Sequence, residues 1–144
     1  MPKLHTYLNF AGNAEEAFTF YKEAFGGEFT YLVRFKDMPM EGVVLPKDAE
    51  DKIMHISLAI GPDNLLMATD ALESLGHTLI RGNNASLFVQ VETRAEADRL
   101  FVALSRGGSV DVPMTEQSWG DYFGSFDDRF GTNWMLAYTP PKPD

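Results

Sequence analysis

One order of elements is written twice along this chain. Leu4–Phe10 alternates apolar with mixed residues, the period of a strand. Asn13 can cap a helix, with Glu16 in the reciprocal position three residues on. Ala14, Ala17, Phe18, Tyr21, Ala24 and Phe25 then recur at helical spacing, and Gly26-Gly27 stops the run. Three strand-like runs follow, Phe29–Phe35, Ile53–Ile60 and Leu65–Thr69, the last two flanking the turn sequence Gly61-Pro62-Asp63-Asn64. The order restarts at Ser86–Val91. Thr93 is a second cap with Glu96 at its third position, and Ala97, Leu100, Phe101 and Leu104 form a second stripe ending at Gly107-Gly108. Val110–Val112, Tyr122–Phe126 and Trp134–Tyr138 complete the set. The two caps lie 80 positions apart. An internal duplication explains this order more simply than chance. The expected fold is therefore α+β: two tandem βαβββ modules, about 3–70 and 84–139, in one domain of 1–144 with a proline-broken tail over 140–144.

At 144 residues and 44% hydrophobic, the chain can bury a core and is not a disordered segment. It has no cysteine, which excludes disulfides, thiolate metal sites and cysteine nucleophiles and suits a reducing cytoplasm. A net charge of −9 repels phosphate backbones and anionic lipids, so neither nucleic acid nor membrane is an expected partner. No apolar run has the length of a membrane span or the form of a signal peptide.

Alternation assigns faces. Leu4, Leu8 and Phe10 oppose His5, Tyr7 and Asn9; Met54, Ile56, Leu58 and Ile60 oppose His55, Ser57 and Ala59. In the second module Leu87, Val89 and Val91 oppose Ser86, Phe88 and Gln90, and Trp134, Leu136 and Tyr138 oppose Asn133, Met135 and Ala137. One face is uniformly large and apolar and suits burial under the helices. The other mixes polar, small and aromatic groups. It reads equally as the lining of a ligand cavity or as a sheet face in water.

Several stretches resemble the PhnB-like family of the vicinal oxygen chelate (glyoxalase/bleomycin-resistance/dioxygenase) superfamily. They are Tyr7-Leu8-Asn9-Phe10-Ala11-Gly12-Asn13 with Ala17 and Phe20-Tyr21, Lys52-Ile53-Met54-His55, Met67-Ala68-Thr69-Asp70, Trp119, Phe123-Gly124, Asp128-Arg129-Phe130-Gly131 and Trp134-Met135. The resemblance implies a curved mixed sheet around a cavity, and a homodimer. It also brings an old label, ubiquinone methyltransferase. No glycine-rich strand-to-helix turn of the kind a nucleotide-type cofactor uses accompanies that label here. Superfamily enzymes hold a divalent metal with four side chains. Carried onto this chain, that implies His5 and His55, with Ser86 and Met135 as their second-module counterparts. The metal so implied is zinc, nickel, iron or manganese; imidazole is a good ligand for the first three, a hydroxyl is a poor one and a thioether too soft for most of these ions. Glu116, Asp121 and Asp70 are further candidate donors from loops.

The candidate pocket is then His5, Tyr7, His55, Ser57, Ser86, Phe88, Gln90, Trp119, Phe123 and Met135, with His5 and His55 as candidate metal ligands. His5 and His55 are expected to point into one cavity, within reach of a single ion or water. Trp119 and Phe123 read either as an aromatic wall or as structural filler. His77 is assigned no role. The long segments 37–52 and 70–84 read as binding flaps or plain loops. Three functions remain open at this level: small-molecule binding without chemistry, a glyoxalase-type metal-dependent lyase, isomerase or transferase, and a ligand-free dimeric scaffold.

Overall fold

The computed structural model describes residues 2–39 and 41–142. Residues 143 and 144 of the expected tail lie outside them. Each half of the chain builds its own four-stranded mixed sheet. The first comprises β1 (Thr6–Phe10), α1 (Ala14–Phe25), β2 (Glu28–Arg34), β3 (Ile53–Ile60) and β4 (Asn64–Asp70), in strand order β1-β4-β3-β2. The second repeats it with β5 (Leu87–Val91), α2 (Arg94–Ser105), β6 (Ser109–Glu116), β7 (Tyr122–Asp127) and β8 (Asn133–Tyr138), in order β5-β8-β7-β6. In both, the first strand pairs parallel with the last, and the other neighbours run antiparallel. The chain divides into two compact units, Met1–Ile80 and Arg81–Asp144, that match the two modules.

In unit one the helix side of the sheet is the core. Phe10, Phe18, Tyr21, Ile56, Leu58 and Ala68 are all essentially inaccessible. In unit two, Leu104, Phe126, Trp134 and Leu136 fill the same role. Leu4 is an exception to the expected apolar face: it precedes β1 and is 99% exposed. β6 runs to Glu116, past the expected end at Val112. Pro113 does not stop it because β6 is an edge strand, where a missing donor faces no neighbour.

The paired glycines repeat in detail. Gly26 and Gly107 both take a left-handed φ of 76°, which favours glycine. The next residue in each pair has no room for a side chain. A Cβ on Gly27 would lie 1.9 Å from the Ala59 carbonyl oxygen, and one on Gly108 would lie 2.0 Å from that of Asp127.

The capping differs from the local pattern. Thr93 caps α2 as expected, its hydroxyl accepting from the Glu96 N–H. Asn13 makes no such bond. The side chain of Asp70, 1% exposed, accepts from the Gly12 and Ala14 N–H groups at 3.1 and 3.0 Å and from the Ile53 N–H at 2.8 Å. It ties the start of α1, the start of β3 and the end of β4. Asp70 is thus a structural residue, not a mobile donor. Asp128 acts similarly in unit two. It is 3% exposed and accepts from the Phe130 and Thr132 N–H groups and from the Trp134 indole at 2.8 Å.

The two long segments are partly packed. Short 3-10 turns at Phe35–Asp37, Lys47–Ala49 and Glu73–Leu75 meet around a small cluster of Phe35, Ala49 and Leu72, with Leu45, Met54 and Leu75 against it. His77 closes the last of these turns, accepting from the Leu72 N–H at 3.0 Å.

Candidate functional site

Strand register decides which side chains meet on the face of the first sheet opposite α1. Tyr7, Met67 and Ser57 form one row across β1, β4 and β3. Thr69 stands beside Asn9 in the next row, and His55 follows on β3, directly opposite Val33 of β2. Tyr31 of β2 stands opposite Ser57.

The result is an imidazole between two phenols. The His55 ring stacks on Tyr7 at 5.6 Å and meets Tyr31 at 5.5 Å, tilted by 56°. The Tyr7 hydroxyl lies 3.1 Å from His55 Nδ1. Both tyrosines are about half exposed, at 45% and 51%. Burial pushes the Tyr7 phenol above its ordinary pKa, while a hydrogen bond with the Thr69 hydroxyl opposes that rise. The phenol is therefore neutral at physiological pH. Ser57 is 4% exposed, and its hydroxyl has no hydrogen-bond partner among the described residues.

His5 does not join this group. Its Nδ1 accepts from the Leu65 N–H at 3.3 Å, which fixes it at the level of Leu65 and Ala59. His55 is four residues further along β3. At the usual strand dimensions that is about 13 Å along the sheet and about 10 Å across two strand spacings. The histidines share a face, as parity expects, but the register does not bring their rings to one ion.

Unit two carries the remaining candidates on one face of its own sheet. Phe88, Met135 and Ser125 form a row, and Gln90, Ala137 and Phe123 form the next. Ser86 immediately precedes β5, and Gln90 Nε2 donates to the Thr139 hydroxyl at 3.2 Å. Trp119 is 65% exposed in the turn before β7, its ring 6.3 Å from that of Phe123. It is not core filler. Glu116 is paired with Arg94 at 2.7 Å.

Matching the two registers also corrects the repeat. Tyr7↔Met67↔Ser57 corresponds to Phe88↔Met135↔Ser125, so Met135 is the counterpart of Met67. The counterpart of His55 is Phe123. Neither choice completes four donors. His5, His55, Ser86 and Phe123 include a ring with no donor atom, and replacing the third-strand pair by Met67 and Met135 adds two thioethers. Among the described residues, no group of three or more His, Asp or Glu is placed to hold a metal ion. The residues present do not fit the superfamily's four-ligand centre. Tyr31 and Thr69 were not singled out from the sequence. Thr69 was legible by alternation along β4; Tyr31 was not, because a register irregularity between Phe29 and Tyr31 resets the parity of β2.

Paired βαβββ sheets of this kind define the glyoxalase/bleomycin-resistance fold. The glyoxylase/bleomycin resistance protein/dioxygenase domain from Frankia sp. EAN1pec shares it at a TM-score of 0.69, covering 99% of this chain and 95% of its own, at 12% identity. Within that fold the sequence is more specific. Residues 2–137 match the family model described as 3-demethylubiquinone-9 3-methyltransferase, and the chain belongs to this family, the PhnB-like branch of the superfamily. It is 30% identical to Protein YjdN of Escherichia coli (strain K12), over 97% of each chain. It is 37% identical to protein PA1353 from Pseudomonas aeruginosa, with a TM-score of 0.85 over 96% of this chain and 98% of that one. The PhnB protein from Bacillus cereus is 27% identical, with a TM-score of 0.76 over 96% and 100%.

Proposed function

We propose that this chain is a small-molecule-binding protein whose ligand rests against the open face of the first sheet. The observation that supports this is His55 held between two half-exposed tyrosines beside the unpartnered Ser57 hydroxyl. A buried hydroxyl without a partner costs about 1–3 kcal/mol, which a ligand atom or a water offsets. Aromatic walls with a few convergent polar groups are the usual make-up of a ligand site. Phe88, Phe123, Met135 and Trp119 offer a second, more apolar surface in unit two, and residues 1–144 act as one ligand-binding domain.

Glyoxalase-type metal chemistry is the less favoured reading, because the donor set does not complete a four-ligand centre. Methyl transfer is carried by the family's name alone and is not proposed. The family, the aromatic content and the cysteine-free sequence support a homodimer working in the cytoplasm. Among the described residues, no helix is long and apolar enough to cross a membrane.

The test is a thermal-shift screen of small metabolites and antibiotics against wild type, His55→Ala and Tyr31→Ala. Compounds that stabilise wild type and lose that effect in both variants support the reading. Hits that stabilise all three proteins equally sink it, as does a screen with no hits.

A further inference from the structure

We infer that Ser57 is the polar anchor of this site, that it selects an uncharged planar aromatic with a carbonyl or amide at its edge, and that Tyr31 turns aside to admit it. This deepens the reading above and rests on the ligand occupying that face.

The Ser57 hydroxyl is out of place in a finished core. The residue is 4% exposed and the oxygen is unpartnered among the described residues. A hydroxyl has one proton and two lone pairs to place, and side-chain polar atoms buried this deeply are nearly always bonded. A bare methyl would pack without that penalty, as Ala59 does two residues along the same face.

Its neighbours show how a ligand reaches it. The row across the sheet is Tyr7, Met67, Ser57 and Tyr31. Met67 stands on β4, enclosed between β1 and β3, whereas Tyr31 stands on the edge strand β2 next to a register irregularity. Side chains directly opposite each other on neighbouring strands have Cβ atoms about 5 Å apart, so the Tyr31 ring stands beside the hydroxyl. Tyr31 is 51% exposed, and among the described residues its only ring contact is with His55 and its own hydroxyl makes no hydrogen bond. Tyr7, by contrast, is tied to His55 through its hydroxyl at 3.1 Å. Turning Tyr31 toward solvent therefore breaks no hydrogen bond and opens the Ser57 side of the row.

Charge selects the ligand class. The adjoining row holds Asn9, Thr69, His55 and Val33. Neither row contains an acid, a lysine or an arginine. A charged group lowered onto Ser57 would meet no counter-charge from these side chains, and burying an unpaired charge is far less favourable than burying an amide or a carbonyl. The net charge of −9 further repels anions. A cation gains from the tyrosine faces but must shed its hydration at Ser57 with no carboxylate to replace it. The rings of Tyr7, His55 and Tyr31 offer flat surfaces to an aromatic ligand. An amide at its edge answers the hydroxyl as either donor or acceptor.

Two measurements test this. In the first, Ser57→Ala is compared with wild type in the absence of ligand. Removing an unpartnered buried hydroxyl should raise Tm by about 2–4 °C. An unchanged or lower Tm means that the hydroxyl has a partner, a buried water included, and overturns the anchor. In the second, benzamide, benzoate and benzamidinium, which share one shape and are neutral, anionic and cationic, are titrated by protein-observed NMR. Benzamide should bind at least about tenfold tighter than either ion. Its affinity should fall about fivefold in Ser57→Ala, as the loss of one hydrogen bond warrants, and should fall in His55→Ala as well. Equal affinities, a preference for an ion, no binding by benzamide, or binding indifferent to either substitution overturns the ligand class. The Tm comparison needs no ligand. Metabolite hits that His55→Ala abolishes, together with no Tm gain in Ser57→Ala, would leave the binding face standing and remove the anchor.

Discussion

Replacing Asp70 by asparagine changes one oxygen for a nitrogen and almost nothing else in shape, so its effect isolates the carboxylate. The wild-type side chain takes three N–H groups from three segments: Gly12 and Ala14 on Oδ1, Ile53 on Oδ2. An amide can keep its oxygen toward the helix start, but its NH2 then faces the Ile53 N–H, donor against donor. Losing one bond to a charged acceptor costs about 1.5–3 kcal/mol. Removing the negative charge from the N-terminus of α1 adds about 0.3–1 kcal/mol. We expect Asp70→Asn to destabilise by about 2–4 kcal/mol, and Asp70→Ala by more, since it strands all three donors. For a chain of this size that is a fall of roughly 5–15 °C in Tm. Both tryptophans, Trp119 and Trp134, lie in the second unit. Urea unfolding should therefore be followed by far-UV circular dichroism, which sees both sheets, alongside tryptophan fluorescence. An Asp70→Asn midpoint corresponding to less than about 0.5 kcal/mol by circular dichroism would refute the account, because surface changes reach that size.

Three other perturbations have defined outcomes. Gly27→Ala should destabilise more than Gly26→Ala. The first drives a Cβ into the Ala59 carbonyl, whereas the second meets only the left-handed backbone penalty of about 1 kcal/mol; equal chemical-denaturation midpoints would contradict this. Stability should fall at the alkaline end as pH rises through the folded-state pKa values of Tyr7 and Tyr122. Both are raised, Tyr7 chiefly by burial and Tyr122 chiefly by its hydrogen bond to Asp98, so the neutral phenol is what the fold favours. At the acid end Glu15, lowered mainly by its hydrogen bond to Arg34, contributes stability that is lost as pH falls through its folded pKa. Being an exposed pair, it should contribute no more than about 1 kcal/mol, and Tm against pH for Glu15→Gln and Tyr122→Phe tests both limbs. Zinc or nickel should bind weakly: at a concentration equal to Kd the stabilisation is only ~0.4 kcal/mol, and stoichiometric metal in protein purified without an affinity tag would overturn that expectation.

The duplication, the helices and the two faces were legible because periodicity is local. What was not legible depends on how far along each strand its neighbour sits. Alternation put His5 and His55 on one face, but their separation of four residues follows from register, which the strand pattern does not encode. The counterpart of His55 was misplaced for a related reason. The segment after β2 is longer than that after β6, so the spacing between repeats shrinks from 81 at the first strands to 68 at the later ones. Asn13 and Asp70 show the third limit. A cap supplied from 56 residues away leaves no trace in the sequence around the helix.

The pairing of first strand with last has a consequence during synthesis. β1 lacks its sheet partner until β4 has left the ribosome, and more than fifty residues separate Phe10 from Asn64. At about 5–20 residues per second that interval lasts several seconds, far longer than local helix or hairpin formation. In the native sheet β4 lies between β1 and β3, and the Asp70 side chain at its end reaches the helix start, so neither the β1 pairing nor this cap can form earlier. The first sheet can close in this way before β5 has emerged in its turn, and the second must wait again for β8.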